Sequence, residues 1–221
     1  MTDAPTSCRL YAVVEAGEAA ASRLAAALSA ADVASVLIAP PAGGAFDAAA
    51  AAPLVAAAQK AGAAALVFAD AALARSLGAD GVHLAPGKEP LSRYGAAKAI
   101  LGGGAVVGVD AGISRHDAMT LAEAGADYVA FGAPAHLKDR DKARSRRDDL
   151  VAWWSEIFQV PCVAFDVETP MEAEALALAG ADFVAVNMSA AQSPADAGAL
   201  IGEMAAAIRA GEGAPRGVAA T

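Results

Sequence analysis

The feature that most constrains the fold of this chain is an eightfold alternation of short apolar segments with alanine-rich segments. The apolar segments are continuous runs rather than alternating patterns, which is typical of parallel strands buried on both faces. The alternation therefore predicts an α/β fold with a parallel sheet. The predicted strands are Arg9–Glu15, Ala34–Ala39, Ala64–Ala69, Gly81–Ala85, Ala105–Asp110, Tyr128–Gly132, Pro161–Asp166 and Phe183–Asn187.

Helical segments separate and follow these strands. They are Ala19–Ala30, Ala49–Ala61, Ala71–Leu77, Leu91–Leu101, Ser114–Ala124, Asp148–Phe158, Pro170–Ala179 and Pro194–Ala210. Eight βα units with right-handed crossovers close most simply into a (β/α)8 TIM barrel, and 221 residues suit one such domain. An open doubly wound sheet is the alternative, but Val14–Glu18 lacks the glycine fingerprint that should follow its first strand. We predict a single TIM-barrel domain over residues 1–221, with an ordered core at 9–210 and a flexible tail at 211–221.

A Gly-Ala-Asp turn recurs before three of the predicted strands, at residues 78–80, 125–127 and 180–182. The glycine can end a helix in a left-handed conformation, and we expect the aspartate to accept from amides of the turn. These turns lie at the N-terminal ends of strands, the face of a barrel that supports stability. Asp80, Asp127 and Asp182 are therefore given no catalytic role.

The charge balance excludes some classes of partner. The net charge of −9 indicates no basic footprint for nucleic acid or for an anionic membrane. Met1–Thr6 lacks the basic and apolar regions of a signal peptide, and no apolar run reaches the roughly 18 residues that span a bilayer. We expect a cytoplasmic protein in which Cys8 and Cys162 are buried free thiols.

Acidic residues follow four of the predicted strands, where the active site of a barrel is built. They are Asp70, Glu89, Asp110 and Asp166. Carboxylates that converge at one mouth suggest a Mg²⁺ site for a phosphorylated ligand. The alternative is that each carboxylate caps the following helix or pairs with a nearby base.

The segment after the sixth strand, residues 133–147, is basic. From Lys138 to Asp149 it holds six bases and four acids, so a mobile loop there could close on phosphate or pyrophosphate. The alternative is a solvated loop whose charges pair with one another. Ser189, before the last helix, suits a phosphate or a simple helix cap.

Other side chains have simpler interpretations. His83, inside a strand, is expected to be a packed, hydrogen-bonded core histidine, whereas His136 falls in the basic loop. Of Trp153 and Trp154, adjacent on one helix, one should be buried and the other could serve a subunit contact, which leaves a homo-oligomer open.

Several segments resemble the thiamine phosphate synthase and thiazole tautomerase family. The matching segments are Arg9–Tyr11, Leu66–Ala74 with Gly78–Leu84, Gly125–Gly132 and Gly180–Ser189, and the run Gly-Ala-Asp-Gly-Val-His-Leu is the most specific of them. The resemblance implies a transferase that joins a pyrimidine methyl pyrophosphate to a thiazole phosphate and uses Mg²⁺. Asp70 and Glu89 would hold the metal.

The resemblance also suggests roles for other residues. Lys138 would act in catalysis, Lys142 would help to hold pyrophosphate, and Ser189 would contact the phosphate. Asn187, Asp110 and Asp166 are expected to contact the ligand because they lie at the ends of strands. His116 would be the proton shuttle if the reaction is instead an isomerisation of the tautomerase kind.

The chain departs from the family pattern at several places, including Ala69, Ala85–Lys88 and Asp110–His116, and two of the departures affect phosphate binding directly. Leu37–Pro41 stands where the family has a basic clamp for pyrophosphate, and Phe165-Asp166 stands where it has Gly-Gly. Three interpretations therefore remain open: a synthase with a rewired site, a tautomerase-like isomerase, and a non-catalytic paralogue that binds a thiamine precursor or a protein partner.

Overall fold

A computed structural model of the chain describes residues 7–133 and 137–213. Eight parallel strands pair in sequence order and close into a barrel, and the helices surround it. The predicted TIM barrel is confirmed. The strands are β1 Arg9–Glu15, β2 Val33–Ala39, β3 Ala64–Phe68, β4 Gly81–Leu84, β5 Val106–Gly112, β6 Tyr128–Phe131, β7 Cys162–Val167 and β8 Phe183–Met188. The helices are α1 Ala20–Ala30, α2 Ala48–Lys60, α3 Ala71–Leu77, α4 Pro90–Leu101, α5 Arg115–Glu123, α6 Arg140–Ile157, α7 Pro170–Ala179 and α8 Pro194–Gly213.

The last helix extends further than the sequence predicts. Helix α8 continues through residues 211–213, which the sequence assigned to a flexible tail. Residues 214–221 lie outside the described part of the chain, as does His136. Within the described residues, no helix is both long and apolar enough to cross a membrane.

The apolar core has two layers, as expected for a barrel whose strands are covered on both faces. The larger layer lies between the strands and the helices. The smaller layer fills the barrel itself and consists of Tyr11, Leu37, Leu66, Tyr128, Ala130, Val163 and Ala185. The barrel interior is therefore a packed core, and a ligand has room only at its ends.

The three Gly-Ala-Asp turns tie neighbouring strands together at the N-terminal end of the barrel. The Oδ2 atoms of Asp80, Asp127 and Asp182 accept from the backbone N–H groups of Ala65, Val107 and Cys162, at 2.7, 2.7 and 2.8 Å. These amides belong to the preceding strand and not to the turn itself, which corrects the sequence-based expectation. Each aspartate thus links the strand it precedes to the neighbouring strand.

Helix α6 begins at Arg140, eight residues before the predicted start at Asp148. The side chain of Asp139 caps it by accepting from the backbone N–H of Lys142 at 3.0 Å. The early turns are rich in lysine and arginine, which are good helix formers, and Ala143 and Arg147 bury one face of them. Most of the predicted mobile loop is therefore helical, and that prediction was wrong for residues 140–147.

The predictions for single buried side chains hold. Cys8 and Cys162 are free and buried. Trp154 is fully buried and donates to the carbonyl of Val160 at 2.7 Å, whereas Trp153 is partly exposed under the guanidinium of Arg115.

Candidate active site

A cavity of about 290 Å³ opens at the C-terminal ends of the strands, which is the catalytic end of this fold. Its lining residues come from β1, β2, β3, β7 and β8. They are Val13, Leu37, Ala39, Phe68, Phe165, Asp166, Val167, Glu168, Ala185 and Asn187. We call it the mouth cavity. A larger concavity of about 810 Å³ lies at the opposite end of the barrel beside Asp80 and is open to solvent.

Below the mouth cavity, His83 belongs to a stack of rings inside the barrel. Its Nδ1 lies 2.9 Å from the hydroxyl of Tyr128, and that hydroxyl lies 3.1 Å from the hydroxyl of Tyr11. The ring stacks on Phe165 at a centroid distance of 4.8 Å. Burial lowers the pKa of His83 to about 3, so the ring is neutral at physiological pH. The prediction of a packed core histidine is confirmed.

Sequence reasoning missed the two tyrosines of this network. The sequence did contain a signal for the position of Tyr128, because Gly108 is its partner on the neighbouring strand β5. The Cβ of any larger residue at position 108 would lie 1.9 Å from Cζ of Tyr128. A strand glycine beside a tyrosine on the next strand marks a ring that lies over the backbone.

Asp110 and Asp166 form a carboxylate pair at the rim of the mouth. Asp110 Oδ1 accepts from Gly112 N–H at 2.6 Å, and Asp166 Oδ2 accepts from Ala133 N–H at 2.7 Å. Gly132 leaves the space between them. A Cβ there would lie 2.8 Å from Asp166 Oδ2 and 3.8 Å from Asp110 Oδ2. Burial, together with the charge of Asp166, raises the pKa of Asp110 from 3.8 to about 7.

The orientation of Asp166 depends on a buried arginine. Asp166 has a left-handed backbone with φ of 58°, and it lies where the β7–β8 register shifts. Arg147 Nη1 donates to the carbonyls of Phe165 and Asp166 at 3.0 and 2.8 Å, and its side chain is 0% exposed. Sequence reasoning placed Arg147 in a basic loop that either closes on phosphate or is solvated, because its charge gave no sign that it lies on the inner face of α6.

Asp70 and Glu89 follow adjacent strands but have different surroundings. Asp70 Oδ1 caps α3 by accepting from Leu73 N–H at 2.8 Å, so the capping alternative applies to it. Glu89 is exposed and makes no capping bond. Within residues 7–133 and 137–213, no group of three or more histidine, cysteine or acidic side chains is arranged to hold a metal ion. The second oxygen of Asp70 accepts no hydrogen bond from the described residues, so it remains available to a cation.

The basic segment is largely engaged with other parts of the protein. Arg140 Nη1 donates to the carbonyl of Ala133 at 2.6 Å, and Arg140 and Arg144 both pair with Glu168. The hydrogen bond from Arg144 is the main reason that the pKa of Glu168 is lowered. Arg144 also pairs with Asp141, and Arg147 with Asp148, so the alternative of charges that pair with one another applies to part of the segment, whereas Glu168 lies outside it. Lys138 and Lys142 are exposed at the start of α6.

Of the remaining predicted ligand-binding and catalytic residues, one lines the cavity and the others lie outside it. Asn187 lines the mouth cavity. Ser189 is exposed in the turn after β8, where its Oγ accepts from Ala191 N–H at 3.2 Å, and Ser193 caps α8 instead. His116 is exposed in the first turn of α5. Of the predicted site residues, Asp166 and Asn187 line the cavity, Asp110 lies beside it, and the others are outside its lining.

Comparison with known proteins identifies the family. The model of the thiamine monophosphate synthase family matches residues 10–190. The chain belongs to the thiamine monophosphate synthase family. It is 36% identical over 208 residues to a thiamine-phosphate synthase of Rhodospirillum centenum, covering 92% of this chain and 99% of that protein. A second relative, the thiamine-phosphate synthase of Erythrobacter litoralis, is 48% identical over 118 residues, which span 54% of its length.

Solved structures agree on the architecture. The thiamine phosphate pyrophosphorylase of Pyrococcus furiosus superposes with a TM-score of 0.72 at 18% identity, covering 95% of this chain and 99% of that one. A tryptophan synthase structure from Mycobacterium tuberculosis reaches 0.71 at 17% identity. Because proteins with different names fit equally well, these superpositions establish the barrel and not the reaction.

Proposed function

We propose that this chain is a transferase of the thiamine phosphate synthase type, which condenses a pyrimidine methyl pyrophosphate with a thiazole phosphate. The observation that carries the proposal is the alignment with the Rhodospirillum centenum thiamine-phosphate synthase, which spans 99% of that protein. The mouth cavity supports it, because it lies at the end of the barrel where TIM-barrel enzymes bind their substrates. The isomerase and regulatory alternatives have no comparable support among the relatives.

Asp70 and Glu89 are proposed to hold Mg²⁺ together with the phosphates of the substrate. Mg²⁺ in such sites commonly takes one or two carboxylates and completes its shell with water and phosphate oxygens, so a cluster of three side chains is not needed. The free oxygen of Asp70 and the uncapped carboxylate of Glu89 are compatible with this role. The ion would supply positive charge to the departing pyrophosphate.

The other roles are proposals of the same kind. Lys138 and Lys142, exposed at the start of α6, are available to a pyrophosphate. Ser189 offers an exposed hydroxyl to a phosphate in the turn before α8, and Asn187 contributes a polar group to the cavity. His116 would act in proton transfer only if the chemistry is an isomerisation. A cytoplasmic location and self-association also remain predictions.

The test combines binding and turnover. The purified protein is titrated by calorimetry with thiazole phosphate and with pyrimidine pyrophosphate plus Mg²⁺, and thiamine phosphate formation is assayed alongside. We expect heat with each ligand and product that depends on Mg²⁺. Absence of both heat and product at millimolar ligand would contradict the synthase assignment.

Two variants of Asp70 separate metal binding from helix capping. Asp70→Ala removes both functions, whereas Asp70→Asn keeps a good capping side chain but loses the charge. We expect turnover to fall at least about tenfold in both variants, with a higher Mg²⁺ requirement. Normal turnover in Asp70→Asn would show that Asp70 acts only as a cap.

A further inference from the structure

The mouth cavity has a fixed aromatic surface. Phe68 and Phe165 both line it, and both stack against His83, with centroid distances of 6.0 and 4.8 Å and interplanar angles of 29° and 23°. His83 is itself held by the hydroxyl of Tyr128. Because the two phenyl rings rest on an anchored third ring, they offer a preformed surface to a planar ligand.

The polar part of the lining contains two carboxylates and one amide. Asp166, Glu168 and Asn187 provide it, and no lysine, arginine or histidine of the described residues lines the cavity. Arg140 and Arg144 pair with Glu168 and so compensate its charge. Asp166 is exposed and accepts from the neutral N–H of Ala133. Within residues 7–133 and 137–213, no lysine or arginine forms an ion pair with Asp166, so the rim of the cavity presents one carboxylate without a partner cation.

The buried cation Arg147 does not line the cavity. Arg147 donates through Nη1 to the carbonyls of Phe165 and Asp166 and through Nε to Asp148, and its side chain is fully buried. It orients the end of β7 without offering its charge at the cavity surface. An anionic group in the cavity would face Asp166 without a partner cation, whereas a cationic N–H donor would find an acceptor there.

We propose that the mouth cavity binds a planar aromatic cation that carries N–H donors, with its ring against Phe68 and Phe165 and its charge on Asp166. The volume of about 290 Å³ restricts the occupant to a small ring system. This assignment goes beyond the proposed synthase reaction, because it specifies the charge of the bound ring and requires no turnover. It implies that phosphate groups of any substrate lie outside this cavity.

Three probes of nearly the same shape test the sign of the charge. Benzamidine is a planar cation with N–H donors, benzamide is its neutral counterpart, and benzoate is the anion. Each is titrated into the complete protein at pH 8 and low salt, with binding followed by calorimetry and by NMR. We expect benzamidine to bind about fivefold or more tighter than benzamide, and benzoate to bind most weakly.

A matched pair of variants locates the effect. Asp166→Asn keeps the shape and an acceptor for Ala133 N–H, and asparagine tolerates the left-handed backbone at this position. We expect it to lose the preference for benzamidine over benzamide. Asp32→Asn, an exposed site before β2 at the opposite end of the barrel, should keep that preference.

The possible outcomes are distinct. Equal binding of the three probes, a preference for benzoate, no binding at millimolar concentration, or an unchanged preference in Asp166→Asn would each overturn the assignment. If benzamidine binds as expected and no thiamine phosphate is formed, the proposed synthase function fails and this site stands. If product forms but the charge preference is absent, the synthase function stands and this site fails.

Discussion

Single residues at the mouth show how the fold perturbs ordinary side chains. The carboxylates of Asp110 and Asp166 both approach Gly132, where an added Cβ would lie 2.8 Å from Asp166 Oδ2 and would displace that carboxylate. Burial is the main reason that the pKa of Asp110 rises to about 7, and the charge of Asp166 adds to it. The pKa of Asp110 therefore lies near neutral pH, far above that of an ordinary aspartate.

The raised pKa makes stability depend on pH. An ordinary aspartate loses its proton near pH 3.8 in the unfolded chain, whereas folded Asp110 keeps it until about pH 7. The contribution of Asp110 therefore favours folding least at high pH, and stability falls as the pH rises from about 4 to about 7. Asp110→Asn removes this ionisation while its side-chain oxygen can still accept from Gly112 N–H.

We expect Asp110→Asn to raise the free energy of unfolding at pH 8 by up to about 4 kcal/mol, and by less at pH 5. Urea unfolding at the two pH values measures the difference. Asp32→Asn serves as the control and should give the same change at both. A gain for Asp110→Asn that does not vary with pH would contradict the raised pKa.

At the scale of the elements, the sequence predicts some features well and others poorly. The βα order follows from the apolar runs, and the left-handed glycines at 78, 125 and 180 end their helices as expected. The start of α6 was missed, because its first turns are charged and resemble a loop. The left-handed backbone of Asp166 and the burial of Arg147 were also missed, since neither a positive φ nor a buried guanidinium gives a periodic signal.

The Gly-Ala-Asp turns give a prediction at this scale. Asp80 accepts from Ala65 N–H of the neighbouring strand, so Asp80→Ala leaves that strand amide without its acceptor. We expect a loss of about 1–3 kcal/mol in the free energy of unfolding, with kcat and KM of the folded protein unchanged. Asp80→Asn, which retains a side-chain acceptor, should lose less. A large change in KM would show that this end of the barrel affects the mouth.

At the scale of the whole molecule, closure of the barrel brings inward-facing side chains of different strands into one packed interior. Tyr128 fills the interior beside β5. Its hydroxyl lies between the hydroxyl of Tyr11 and the Nδ1 of His83. These hydrogen bonds and the stacking on His83 hold the ring of Tyr128 in place over Gly108. The sequence indicates the barrel, but only the closed structure shows which inward residues meet at its centre.

Gly108→Ala should therefore disturb the entire barrel. The added Cβ would lie 1.9 Å from Cζ of Tyr128. We expect a loss of more than about 3 kcal/mol in stability, seen as a lower midpoint in thermal unfolding followed by circular dichroism. Gly104→Ala is the matched control, since its Cβ would meet nothing within 4 Å, and its midpoint should stay near that of the parent. Similar midpoints for the two variants would contradict the interior packing.

The two tryptophans of the chain, Trp153 and Trp154, both lie on α6, outside the barrel wall. Indole fluorescence in this protein consequently reports the docking of one helix, while the tyrosines inside the barrel report the sheet. Helix α6 also carries Arg147, which holds the end of β7. Detachment of α6 would therefore change the tryptophan emission and would release the end of β7 at the same time. Tryptophan emission therefore reports the structure around the mouth cavity, and tyrosine emission reports the interior of the barrel.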